Sequence, residues 1–115
     1  FGCVAIKEAA KGVAGLSTRA LEDARKYATK KTFNYDYNTC YNKVKATLKE
    51  KCSYIYAEDP KKQMLAIYVS EIDTTTVGIF FKKIDATNTQ IEVSSGSTYA
   101  KEFIAERIFS ALEVK

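Results

Sequence analysis

The sequence predicts a two-layer α+β domain. A five-stranded, mainly antiparallel sheet in the order β-α-β-β-β-β-α is covered on one face by two helices and preceded by an N-terminal helical arm. Three observations carry this. Residues 53–95 hold four β-branched and aromatic runs separated by Asp-, Pro- and Asn-bearing turns. Residues 40–52 and 99–114 repeat apolar side chains at helical spacing. The connections between the four runs are short, which makes them an antiparallel meander.

Residues 1–31 read as the arm and residues 32–115 as the domain. Ala5, Ala9, Ala10, Ala14, Ala20, Ala24 and Ala28 favour helix throughout the arm. Gly12 and Gly15 weaken its first half, and Ser17-Thr18 offers a cap for a second helix near 18–30. Leu21 and Tyr27 are the only large apolar residues of that helix. It should bury little, so a tether or docking helix is expected in preference to a core layer.

Phe33, Tyr35 and Tyr37 alternate with Asn34 and Asp36, which predicts a first strand with one aromatic face. Asn38 or Thr39 should cap the next helix, with Cys40, Val44, Leu48 and Cys52 on one side. Strands are then expected over 53–58, 63–72, 77–84 and 90–95. In the last, Ile91 and Val93 should point inward and Gln90, Glu92 and Ser94 outward. Gly96-Ser97-Thr98 breaks and caps. The closing helix carries Ala100, Phe103, Ile104, Ile108, Ala111 and Leu112 as its apolar stripe.

Charge divides along the same boundary. Residues 1–32 hold seven basic and three acidic groups, whereas residues 33–115 hold eleven of each. Fifteen of the eighteen cations are lysine, which lacks the bidentate fork used to read phosphates and bases. With a neutral domain, this argues against a nucleic-acid partner. A cationic arm suits an anionic membrane surface. The chain contains no histidine, which excludes Ser-His-Asp and Cys-His catalysis and His-ligated zinc. No cofactor, metal site or catalytic residue is expected, and the chain is read as a non-enzyme.

Two stretches carry a resemblance. Gly2 before Cys3, after an apolar residue, is similar to the end of a bacterial lipobox. The element order, with Phe33-Asn34-Tyr35 and Val93-Ser94-Ser95-Gly96-Ser97, resembles the helix-grip-like domains of small bacterial envelope lipoproteins, BamC among them. The resemblance implies a lipid on Cys3, processing that removes Phe1-Gly2, and a membrane-anchored protein of the bacterial envelope, periplasmic or surface-exposed. The Gly2-Cys3 junction, the basic arm and the lack of catalytic machinery together lead to a non-enzymatic adapter or subunit of a larger assembly as the expected function. The arm is expected to mediate protein contact, as a homo-oligomer or filament through residues 4–30.

A second function stays open, that of a carrier holding an apolar ligand between the C-terminal helix and the sheet. Tyr35, Tyr37, Tyr56, Tyr68 and Phe81 would then line the groove. Cys40 and Cys52 read as small core residues. On one helix, twelve residues at about 1.5 Å each hold them roughly 18 Å apart, beyond disulfide reach.

Overall fold

The computed structural model describes residues 18–113. In chain order these form α1 (Arg19–Asp23), a single 3-10 turn (Ala24–Tyr27), β1 (Thr29–Phe33), α2 (Tyr37–Glu50), β2 (Tyr54–Asp59), β3 (Met64–Tyr68), β4 (Thr76–Asp85), β5 (Asn88–Ser94) and α3 (Thr98–Glu113). The five strands make one sheet in the order β1-β5-β4-β3-β2, and every neighbouring pair is antiparallel. The class is the expected one. Arm residues 4–17 lie outside the described residues.

The main core fills the seam between the sheet and the two long helices. Cys40, Val44 and Leu48 of α2 and Ala100, Ile104, Ile108 and Leu112 of α3 are buried against Leu65, Ile67, Ile79, Phe81, Ile91 and Val93. Period-2 alternation in the strands and 3.6-residue periodicity in the helices supply these positions directly.

The first strand differs from its expectation. It spans Thr29–Phe33, pairing Thr29 with Val93 and Phe33 with Thr89, and so crosses the drawn domain boundary. Tyr35 falls in a turn and Tyr37 begins α2. Local hydrogen bonding outweighs alternation here. The Asp36 carboxylate accepts from the Thr39 backbone N–H at 3.1 Å and from its hydroxyl at 2.6 Å, so Asp36, not Asn38 or Thr39, is the cap. β3 is likewise shorter than expected, because Ser70 to Thr75 closes on itself. The Ser70 hydroxyl accepts from the N–H of Asp73, and Asp73 accepts from Thr75.

Cys52 is not a core residue on the Cys40 helix. α2 ends at Glu50, and Cys52 follows with φ 68°, a left-handed position. The Ser53 N–H returns to the Leu48 carbonyl and the Cys52 N–H to the Lys49 carbonyl, a Schellman ending. Cys52 is disulfide-bonded, whereas Cys40 is a free, buried thiol.

The largest correction concerns the other face of the sheet. A one-sided sheet would leave Met64, Ala66 and Phe80 exposed, yet all are buried, in a second cluster with Leu21 of α1. Leu21 is only 2% exposed. The short helix is therefore a small third layer, and the expected continuous helix over 18–30 stops at Asp23. Among the described residues before β1, Leu21 is the apolar side chain buried on this face, and the sheet makes room for it. A Cβ on Gly78 would lie 3.1 Å from both Leu21 Cβ and the Phe80 ring. Glu92 and Ser94, expected outward, are buried on this face too.

Leu21→Ala should cost about 2–3 kcal/mol, the range of a truncated buried leucine, and Gly78→Ala about 1–2 kcal/mol through overpacking. Urea unfolding followed by circular dichroism measures both. A loss below about 0.5 kcal/mol for Leu21→Ala, the size of an ordinary surface change, would show that α1 does not belong to the folded unit.

Candidate functional site

The five aromatics expected to share one groove are divided between the two faces of the sheet. Tyr35, Tyr37 and Phe81 belong to the helix side, where Tyr35 and Tyr37 pack against the main core and Phe81 is part of it. The Tyr35 hydroxyl donates to the Leu112 carbonyl at 3.0 Å, tying the β1–α2 turn to the end of α3. Tyr37 stacks on Tyr41 at 6.2 Å and meets Phe81 edge-on at 6.0 Å, with Tyr41 5.0 Å from Phe81. These rings fill the seam they were expected to line.

Tyr56 and Tyr68 lie on the opposite face, beyond reach of α3. Tyr68 shares a side with Met64 and Ala66 by strand alternation. Tyr56 joins it through an irregularity in the β2–β3 register, which passes from Ile55 opposite Ile67 to Ala57 opposite Ala66. Their rings stack at 4.7 Å, and Tyr54 stacks on Tyr68 at 6.3 Å. Burial raises the phenol pKa of Tyr37, Tyr56 and Tyr68. Cys3 lies outside the described residues.

Two open grooves mark the surface. One, of about 590 Å³, lies between the end of α2 and α3, where Arg107 covers the Phe103 ring at 4.4 Å and donates to the Lys51 carbonyl. The other, of about 390 Å³, runs along the outer edge of β2, between that strand and Lys45 and Lys49 of α2. In it Lys45 pairs with Glu58 at 2.6 Å and holds its carboxyl below the usual range. The Tyr41 phenol is pushed up to about 12, first by burial and then by the Glu58 charge.

Sequence reasoning missed one polar centre. Arg25 Nε donates to Glu92 Oε1 at 2.8 Å, while its guanidinium lies 4.1 Å over the Phe80 ring. Glu92 is nearly buried. The signal was present as a carboxylate between Ile91 and Val93, in a strand whose second face was assumed wet. Among the described residues no group of three or more His, Cys, Asp or Glu is placed to hold a metal, and no helix is long and apolar enough to cross a membrane. No protein-family model matches the chain, and no curated protein matches it.

Burial pushes the Cys40 thiol up to about 11 from an ordinary 9.0. The unfolded chain ionises this thiol first, so its contribution is complete below pH 9 and is lost as pH rises from 9 to 11. Alkaline melts should show that loss, and Cys40→Ala should flatten it. Native protein at pH 8 should resist a thiol reagent at Cys40 until denaturant is added. Prompt labelling of the native thiol would contradict its burial.

Proposed function

We propose that this chain is a non-enzymatic lipoprotein of the bacterial envelope, anchored through Cys3, whose domain works by its surface as an adapter or subunit of an assembly. The observation that carries the adapter part is the filled seam between α3 and the sheet. Ile104, Ile108 and Leu112 pack on Ile91, Val93 and Phe33 there, and Phe33 meets Phe109 at 5.5 Å. That packing disfavours the carrier, whose ligand would need the same space. The features open to a partner are grooves and strand edges.

The anchor rests on the Gly2-Cys3 junction and the cationic residues that follow it. Its chemistry has a sharp competitor. The sequence contains three cysteines; Cys40 is free and Cys52 is disulfide-bonded. Within one chain, Cys3 is the cysteine left to pair with it. A sulfur in a thioether to diacylglycerol cannot also form a disulfide, so the two states exclude each other.

The contact expected through residues 4–30 is narrowed by what α1 does. Leu21 and Arg25 are committed to the chain's own sheet, so self-association through residues 4–30 would have to use other positions, the exposed Tyr27 among them.

Intact-mass analysis of protein extracted from its native membrane decides the anchor. The expected mass is a chain beginning at Cys3 and carrying a diacylglycerol. A non-reducing peptide map that links Cys3 to Cys52, or an unmodified chain beginning at Phe1, would overturn it.

A further inference from the structure

We propose that Cys52 is a redox gate on the anchor, forming a disulfide with Cys3 that withholds it from the lipid until the bridge is reduced. This gives the regulation of the anchoring site and rests on that reading. The disulfide itself needs neither lipid nor membrane to form.

Three observations select this pair. The sequence contains three cysteines, and Cys52 is disulfide-bonded whereas Cys40 is not. Cys40 cannot take the place of Cys3. It lies in the first turn of α2, which runs on to Glu50. The helix therefore holds it about 15 Å or more from Cys52, past the roughly 7 Å that a disulfide spans between Cα atoms. Cys40 is also buried in the main core, where its thiol stays protonated and inert. Cys52 has the opposite setting. It is half-buried and belongs to neither apolar cluster of the described residues. Its φ of 68° is the left-handed one that a Schellman ending ordinarily gives to glycine. Neither backbone nor packing calls for a thiol here, which leaves the chemistry of its sulfur.

Two reactions then compete for one atom, the Cys3 Sγ. In oxidation, the Cys3 and Cys52 thiols give two electrons and two protons to a disulfide-bearing oxidant of the envelope. The oxidant's S–S bond breaks into two thiols as the new S–S bond forms. In acylation, the Cys3 sulfur bonds the glyceryl carbon of a phospholipid donor. The carbon–oxygen bond to the donor's phosphate breaks, and the thiol proton passes to that phosphate. The bridge closes a loop that contains α1, β1 and α2, so the oxidised chain exchanges a membrane tether for an internal staple. The bridged chain has no lipid to hold it in a membrane, so membrane extracts carry the other form.

The test has two arms. In the first, the purified, unlipidated full chain is equilibrated in glutathione buffers of graded potential, quenched in acid and mapped without reduction. One transition is expected, in which the chain loses two hydrogens and gains a linked Cys3–Cys52 peptide while Cys40 stays a thiol. Cys52→Ser should abolish it. A glutathione adduct on Cys52 in place of the bridge, or a bridge to Cys40, would overturn the proposal. In the second arm, newly made protein is followed in its native cells by pulse labelling and intact mass, with and without a thiol oxidant. The lipidated share of the parent should fall several-fold with oxidant, whereas that of Cys52→Ser should keep its untreated level. An equal fall in both, or a fall in neither, would overturn the gate and leave the anchor standing. Lipid on neither chain in untreated cells would overturn the anchor and the gate together, whatever the first arm shows.

Discussion

The fold depends on a sheet whose central strands are buried on both faces. All five residues of β3, Met64 to Tyr68, are buried, although only alternate ones can meet α2 and α3. The other set needs its own cover, and among the described residues 19–27 contribute Leu21 and Arg25 to it. Leu21 fits against Gly78, and Arg25 lies on Phe80 while neutralising Glu92. A carboxylate this little exposed is costly without a partner. The segment that covers the second face is thus bound by chemistry as well as by shape. The Ser94 hydroxyl adds a hydrogen bond to the Leu21 carbonyl.

This arrangement sets where function can reside. With both sheet faces engaged and the aromatic seam filled, the domain offers its margins. β1 is defended by lysines and tied to α3 through Lys31 and Glu113. The β3–β4 loop holds its shape through Ser70 and Asp73 and displays Ile72, which is 91% exposed. A single exposed isoleucine is ordinary on a protein surface. Among the described residues β2 has a strand neighbour on one side alone, and a groove runs between it and α2, where Lys45 pairs with Glu58.

Much of the fold was legible because hydrophobic period is a local property. The α2 and α3 stripes and the meander follow from spacing alone, and the structure keeps their order. The errors came where local polar chemistry or a distant partner outweighs period. Tyr35 and Tyr37 continue an alternating pattern, but the Asp36 carboxylate bonds Thr39 and starts a helix instead. The burial of Glu92 could not be read from β5 itself, since its partner Arg25 lies 67 residues earlier. Leu21 looked too slight to form a layer because its complement is an absence of side chain at Gly78. The groove aromatics were chosen by residue type, whereas which face each one takes is set by a strand irregularity and a helix start that the pattern does not announce.

The claim that residues 19–27 belong to the fold is tested most directly by a double-mutant cycle on Arg25 and Glu92. Unfolding free energies would be measured for the parent, Arg25→Leu, Glu92→Leu and the double variant. The account predicts a coupling of about 1–2 kcal/mol, with the double variant recovering most of what Arg25→Leu loses, because removing both charges leaves none buried and unpaired. Additive losses, with coupling below about 0.5 kcal/mol, would contradict it and return this segment to the status of a tether.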